Sequence, residues 1–261
     1  MARLIKMDMR RLFRSPMFYI MMSVVAAFNI ISTVVVNVAS KIFLNGEVTQ
    51  TTVLSDAVCS PFVLPILIVL MFISLVSFSY ADIVGGYIKN LAGQLPNKSQ
   101  LIYSKFAVIG IHNLIFLVVG SLANVLGVLI MSGAGMLTLL DDGKVFAAII
   151  TLLLKWLLSM AISAILLFVT NGVKNKVLAS VTGVIIGTGT LGLAYMGLNT
   201  AISHIFHTEG FDVGMYMPDT LINSVNVGAN TAVINAIIVS LVCIVIFMAL
   251  TVKVFNSRDV K

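Results

Sequence analysis

Six long apolar stretches divide the chain and restrict what it can fold into. They cover residues about 16–39, 61–81, 106–131, 146–170, 177–198 and 231–252. A run of about 20 apolar residues is long enough to cross a bilayer as a helix. Charged residues make up only 10% of the chain, against roughly 25% in an ordinary soluble domain. The pattern predicts an all-α integral membrane protein with six transmembrane helices, in a single transmembrane domain over residues 1–261.

The fourth stretch has a second interpretation. It contains the adjacent pair Lys155 and Trp156, a cation beside an aromatic residue that favours membrane interfaces. The part before this pair can therefore be an outer segment joined to the span proper. The sequence leaves both arrangements open.

The basic residues predict the orientation. Thirteen of the sixteen Lys and Arg residues fall in segments 1–15, 82–105, 171–176 and 253–261, whereas seven of the ten acids fall in the intervening loops, which include 199–230. Because short cytoplasmic loops carry the excess of Lys and Arg, both termini are predicted to be cytoplasmic, in a cell membrane such as the bacterial plasma membrane. The net charge of +6 thus follows membrane topology, and nucleic acid is not a predicted partner.

Residues 1–15 have the pattern of an amphipathic helix. The apolar and basic faces lie opposite each other, with Ile5, Met9, Leu12 and Phe13 on the first and Arg3, Lys6, Arg10 and Arg14 on the second. Such a helix is predicted to lie on the inner membrane surface, with its basic face toward anionic lipid headgroups. The alternative is a topology signal without a surface helix.

The inner loop 82–105 carries a second helical pattern. Val84, Tyr87, Ile88 and Leu91 recur at positions i, i+3, i+4 and i+7, which predicts a helix with one apolar stripe. Pro96 then ends the helix. A short amphipathic helix between two spans is suited to transmit force to a cytoplasmic partner.

These residues also carry a family resemblance. Gly86-Tyr87-Ile88-Lys89-Asn90-Leu91 is followed by Pro96, Asn97, Lys98, Ser99 and Gln100, and then by Lys105. The order of glycine, basic helix, proline-containing turn and lysine resembles the inner loop of the permeases of type-two ATP-binding-cassette (ABC) exporters. Those permeases also have six spans, cytoplasmic termini and an N-terminal surface helix. This sequence departs from many members in having Asp82 as the acid before Gly85, and Gln100 where an arginine is frequent.

The resemblance implies a division of labour between chains. Two permease chains, identical or related, form the pathway, and two copies of a cytoplasmic ABC ATPase drive it with ATP and Mg. This chain would then bind no cofactor and catalyse no reaction, in agreement with its lack of a G-x-x-x-x-G-K-[ST] motif. The positions implied to dock with the ATPase are Val84, Gly86, Tyr87, Ile88, Lys89, Asn90, Leu91, Pro96 and Lys98.

Glycines in the fifth stretch match two motifs. Residues 187–192 match G-x-G-x-x-G, but they lie inside an apolar run with no preceding strand, so nucleotide binding is not predicted. Gly183 and Gly187 form G-x-x-x-G, which lets two helices approach closely. Helix packing is the preferred interpretation.

Polar residues within the spans can line a pathway or bond neighbouring helices. In order along the chain, the candidates are Asn29, Thr33, Asn37, Ser74, Ser77, His112, Lys155 and Thr182. For His112 the alternatives are a hydrogen-bonded structural residue and a proton relay. For Lys155 they are a role in the pathway and snorkelling toward the interface beside Trp156.

Two further classes of function are alternatives to a permease subunit. A self-contained channel or secondary transporter stays open, although ion-coupled carriers place acids near the midplane and no Asp or Glu falls within a predicted span. An intramembrane metalloprotease is disfavoured because H-E-x-x-H is missing. His204 and His207, near Glu209 and Asp212, are too weak a pattern to predict a metal site. The expected cargo is amphipathic or hydrophobic, such as a peptide, and membrane lipid is an expected partner.

Overall fold

The structure is a computed structural model that describes residues 1–43, 54–85, 98–132, 142–173, 175–206, 212–225 and 231–257. These ranges contain ten α-helices and one 3₁₀ helix, and no β-strand. The predicted all-α fold is confirmed. The elements are α1 (Ala2–Arg14), α2 (Pro16–Phe43), α3 (Leu54–Cys59), α4 (Pro65–Val84), α5 (Ser99–Ser132), α6 (Asp142–Val173), α7 (Lys176–Gly187), α8 (Leu191–Phe206), the 3₁₀ helix (Val213–Tyr216), α9 (Pro218–Ser224) and α10 (Thr231–Ser257).

Five of these helices are long and apolar enough to cross a membrane, namely α2, α4, α5, α6 and α10. The helices α7 and α8 meet the same criterion together, although the pair is bent by 66°. The chain is therefore a multi-pass integral membrane protein with five candidate spans, or six if the bent pair is one span. The fourth span is a single continuous helix of 32 residues. The residues before Lys155 and those after it therefore belong to one helix, with no break beside the Lys155 and Trp156 pair.

The spans pack around one apolar core. The helix α4 is the most enclosed, with α2, α6 and α7 packed against it, while α5 packs against α2 and α6. The helices α2 and α10 are the least enclosed and leave many large apolar side chains exposed. In a bilayer this exposed apolar surface faces lipid, which is as apolar as the side chains themselves.

The buried face of the first helix matches the expected apolar face in part, because Leu12 is buried and Ile5 and Met9 are partly buried against the core. Leu4, Asp8 and Leu12 are buried, whereas Phe13 is 41% exposed. The predicted basic face is confirmed as exposed, because α1 packs on α5 through the opposite side. Asp8, which the sequence pattern did not include, lies among the buried residues of this helix.

The fifth span departs most from the prediction. The single stretch 177–198 is divided between α7 and α8, and Gly189 at the bend has φ of +70°. Glycine adopts this left-handed conformation without the penalty that a Cβ imposes. At the bend the Gly189 N–H donates to the Ile186 carbonyl instead of the Ile185 carbonyl, and Thr190 Oγ1 donates to the Ile185 carbonyl at 3.0 Å. Thr188 Oγ1 donates at 2.8 Å to the Val184 carbonyl, which also accepts from the Thr188 N–H. Such local hydrogen bonds make a broken helix tolerable in a membrane.

Two glycines of α7 form its contact with α4. A Cβ at Gly183 would lie 3.4 Å from Phe72 Cβ, and a Cβ at Gly187 would lie 2.8 Å from Val69 Cγ2 and 3.2 Å from the Val69 backbone. The G-x-x-x-G motif is therefore occupied by close packing within the chain. These two glycines therefore do not supply a free surface for a second copy of the chain.

Gly187→Ala is expected to lower stability by about 1–3 kcal/mol, because overpacking a tight contact forces backbone shifts. The matched control is Gly192→Ala in α8, where nothing lies within 4 Å of the added Cβ. The measurement is the midpoint of thermal unfolding in a mild detergent. Equal midpoints for the two variants would contradict the close contact between α7 and α4.

Candidate functional site

Four charged side chains and one serine from three helices meet at one end of the bundle. We call this set the inner charge cluster; it consists of Asp8, Arg11, Asp82, Ser104 and Lys105. They lie on α1, on the last turn of α4 and on the second turn of α5. The sequence places all three segments on the cytoplasmic side, and the structure brings them into contact.

Asp82 is the centre of the inner charge cluster. Lys105 Nζ lies 2.7 Å from Asp82 Oδ2 and also donates to the Ser79 carbonyl at 3.1 Å. The guanidinium of Arg11 donates to Asp82 Oδ1. A single carboxylate therefore joins the N-terminal helix to the second and third spans.

Asp8 adds a second connection between α1 and α5. Ser104 Oγ donates to Asp8 Oδ2 at 2.7 Å, and the Arg11 guanidinium lies 3.7 Å from Asp8 Oδ1. Asp8, Asp82 and Lys105 are 2%, 1% and 5% exposed. Buried charges persist only when they are paired and hydrogen-bonded, and removing one partner of a buried pair is strongly destabilising. The inner charge cluster is thus expected to act as a rigid joint.

The inner charge cluster flanks the segment that, according to the family resemblance, would dock with an ATPase. Val84 is 70% exposed at the end of α4, and Lys98 is half-buried just before α5. The remaining coupling positions lie outside the described residues: Gly86, Tyr87, Ile88, Lys89, Asn90, Leu91 and Pro96. Both ends of this segment are therefore placed by the structure, each within one or two helical turns of Asp82 or Lys105.

The position of Asp82 corrects one sequence argument. The second span was expected to end at residue 81, so that no acid fell within a span. The apolar helix instead runs on to Val84 and includes Asp82 in its last turn. Two cations neutralise this acid at the helix end, an arrangement unlike the midplane acid expected of an ion-coupled carrier. The sequence signal for the other buried acid, Asp8, is its i, i+4 spacing from Leu4 and Leu12, which places it on their helix face.

A polar network lies deeper in the bundle around His112. Ser74 Oγ lies 3.1 Å from His112 Nε2, and His112 Nδ1 lies 3.1 Å from Asn113 Oδ1. Asn113 Nδ2 donates to Ser163 Oγ at 2.7 Å, so the network joins α4, α5 and α6. Since the Asn113 oxygen can only accept, Nδ1 carries the proton and Nε2 accepts from Ser74. Both ring nitrogens therefore have partners within the bundle.

A second set of hydrogen bonds fastens α2 to α5 at the other end. Asn29 Nδ2 donates to the carbonyls of Pro61 and Gly120 at 2.9 and 2.6 Å. Thr33 Oγ1 lies 2.7 Å from Asn124 Oδ1. Two of the residues predicted to line a pathway or bond helices thus bond neighbouring segments.

The other polar candidates have more local surroundings. Thr182 Oγ1 donates to the Leu178 carbonyl of its own helix at 2.9 Å, and Ser77 Oγ is buried without a hydrogen-bond partner among the described residues. The side chain of Asn37 lies outside the described residues. The Thr182 bond lies within one helix and does not join two helices.

Lys155 lies in the interior of α6 and is partly exposed. It lines a small cavity of about 10 Å³ with residues that include Phe62 and Asn223. Among the described residues, no carboxylate lies within ion-pair distance of Lys155. The indole of neighbouring Trp156 donates to the Gly110 carbonyl at 2.9 Å, so this Trp is bonded to α5 inside the bundle.

The described ranges contain no group of three or more His, Cys, Asp or Glu side chains that could hold a metal ion. His204 is exposed at the end of α8, and the neighbouring candidates His207 and Glu209 lie outside those ranges.

Comparison with known proteins gives no family assignment: no model of a protein family matches the chain, and no curated protein matches it either.

Proposed function

We propose that this chain is the membrane-spanning permease subunit of an ABC exporter, driven by a separate cytoplasmic ATPase. The cargo is amphipathic or hydrophobic, such as a peptide. ATP and Mg belong to the partner ATPase, and this chain neither binds a cofactor nor catalyses a reaction. It works in a complex with two ATPase copies and a second permease chain, identical or related.

The observation that carries the proposal is the inner charge cluster. A segment that receives force from a partner needs both of its ends fixed to the parts that must move. Here Asp82 in α4 and Lys105 in α5 are paired with each other on either side of residues 86–97. Arg11 adds α1 to the same joint. A displacement of the segment would therefore move the second span, the third span and the surface helix together.

The surface helix supports the same proposal. Its residues Arg3, Lys6, Arg10 and Arg14 are exposed, while Asp8 and Arg11 face the bundle. Each basic residue near an anionic membrane surface contributes about 1 kcal/mol to attraction. The helix is thus held by lipid on one side and by the inner charge cluster on the other.

The filled core favours a pathway between two permease chains. The described spans pack around one continuous apolar cluster that includes Phe72, Phe116 and Leu158, all fully buried. Opening a peptide-sized pathway through this core would break its packing. A pathway between the exposed apolar faces of two chains needs no such disruption.

The alternative is a self-contained channel or secondary transporter without an ATPase. The observation that favours it is the buried network around His112, since polar residues inside a bundle can mark an ion path. In the structure, however, His112 bonds Ser74 and Asn113, as a structural histidine does.

Co-purification from native membranes distinguishes the two proposals. We expect an affinity-tagged chain, extracted in mild detergent, to bring an ATPase with a phosphate-binding loop. Native mass measurement should give two permease chains and two ATPase chains per particle. An unrelated tagged membrane protein from the same cells is the control. Recovery of a monodisperse chain that transports without any ATPase would favour the channel or carrier.

A further inference from the structure

A cavity lies at the opposite end of the bundle from the inner charge cluster. Its volume is about 550 Å³, and α8, the 3₁₀ helix, α9 and the start of α10 surround it. We call it the outer cavity. Its polar lining comprises Tyr195, Asn199, Asp212, Thr220, Ser224 and Asn235. Cavities of roughly 300–1,000 Å³ with an apolar wall and a few polar groups are typical of small-molecule sites.

Asp212 presents a carboxylate that is held in place within the outer cavity. Its Oδ1 accepts hydrogen bonds from Asn199 Nδ2 at 2.8 Å and from the Gly214 backbone N–H at 2.9 Å. Asn199 Oδ1 in turn accepts from the Val213 N–H at 2.8 Å. The orientation of the acid is therefore set by two elements, α8 and the 3₁₀ helix.

A second acid lies behind Tyr195, which lines the outer cavity. The Tyr195 hydroxyl donates to Asp219 Oδ1 at 3.1 Å. Asp219 is 3% exposed, and its Oδ2 is buried without a hydrogen-bond partner among the described residues. Burial raises the pKa of the Asp219 carboxyl, against the opposing effect of the hydrogen bonds to it. An uncompensated buried carboxyl of this kind is stabilised by a nearby cation.

The stretch of sequence that forms the outer cavity carries no Lys or Arg of its own. Neither residue type occurs between Lys176 and Lys253, although the same stretch holds three acids. Lys155, on a packed helix, lines the separate small cavity beside Asn223. The outer cavity thus combines negative charge with an apolar wall that includes Met196, Met215 and Leu221.

We propose that the outer cavity binds the ammonium group of an amphipathic molecule, with Asp212 as its counter-ion and Asn199 and Tyr195 beside it. The apolar part of the ligand rests against Met196 and Met215. Two sources share this chemistry, the headgroup of phosphatidylethanolamine and a lysine of an amphipathic peptide. The inference does not depend on an ATPase partner.

The test measures how fast a cysteine in the outer cavity reacts with a maleimide. The protein carries Cys59→Ala and Cys243→Ala, because neither of these cysteines is held in a disulfide bond. The reporter is Met215→Cys, which is exposed and lines the cavity. The matched control is Leu193→Cys, which is exposed on α8 and is not among the lining residues.

We expect dodecylammonium to slow labelling of the Met215→Cys reporter several-fold and to leave the Leu193→Cys control unchanged. Asp212→Asn keeps the oxygen that accepts from Asn199 and Gly214 but removes the charge. Because a hydrogen bond to a charged group is stronger than one to a neutral group, this variant should need at least roughly tenfold more dodecylammonium to slow labelling to the same extent. Equal slowing at both cysteines, equal protection by dodecanol, or no effect of Asp212→Asn would each overturn the proposal.

Lipid nanodiscs then separate the two sources. Protection in phosphatidylethanolamine discs, compared with phosphatidylcholine discs, would support the lipid. Protection by a soluble lysine-containing amphipathic peptide in phosphatidylcholine discs would support the peptide. If neither phosphatidylethanolamine discs nor the peptide protects the reporter cysteine, the assignment of the outer cavity to a natural ligand is overturned. None of these results depends on ATPase recovery, so they are independent of the permease proposal.

Discussion

Asp82→Leu is expected to lower the free energy of unfolding by about 3–5 kcal/mol, because it leaves buried Lys105 without its counter-ion. Arg11 loses the same partner, although it retains Asp8 within 3.7 Å. The measurement is the unfolding midpoint in detergent, together with the amount of folded protein recovered from membranes. Lys105→Met should cost less, because Asp82 keeps its hydrogen bond from Arg11.

The double variant Asp82→Leu, Lys105→Met distinguishes the cost of leaving one buried charge unpaired from the loss of the ion pair itself. Replacing both members of a buried pair with apolar residues is often close to neutral. We therefore expect the double variant to be more stable than Asp82→Leu alone. If the two single effects simply add, the side chains do not interact, and the inner charge cluster is not the joint described above.

Tyr87→Ala combined with Ile88→Ala is expected to weaken ATPase association by well over tenfold. The sequence predicts these residues on the apolar stripe of the coupling helix, as the anchors of a helix bound in a groove. Each buried anchor contributes about 2 kcal/mol or more when truncated. Insertion should be unaffected, because neither residue belongs to a span. The measurement is ATPase recovery on purified permease, normalised to the permease present in membranes.

Two further variants sharpen this experiment. Lys89→Glu should weaken association further if the rim of the groove is acidic, whereas Lys89→Gln, which removes the charge without reversing it, should weaken association less. If the paired alanine variant inserts normally and retains full ATPase binding, the loop is not a coupling helix. The chain would then be better explained as a channel or carrier.

The length of the apolar runs predicted the spans, because few backbone structures other than a helix are stable inside a bilayer. Each run of about 20 residues forms a helix when no water is available to bond its backbone. The same criterion could not predict the bend at Gly189, since it averages over the residues of a run. The sequence Gly187-Thr-Gly-Thr carries a local signal for the bend, because glycines and threonines inside a span indicate a break.

The candidate site depended on contacts that no local pattern contains. Asp82 lies 71 positions from Arg11, and Ser104 lies 96 positions from Asp8. Sequence spacing can place two residues on one helix face, but it cannot pair two helices that distant segments form. The outer cavity was missed for the same reason, because Tyr195, Asp212 and Asn235 come from separate elements.

The inner charge cluster also has an order of assembly during synthesis. Arg11 leaves the ribosome before Asp82, and Lys105 leaves it after Asp82. At roughly 5–20 residues per second, the interval between Asp82 and Lys105 is about 1–5 seconds. During that interval Arg11 is the cation of the cluster already available to Asp82. Chain order therefore allows the second span to enter the membrane with its acid paired, and Lys105 completes the joint when the third span arrives.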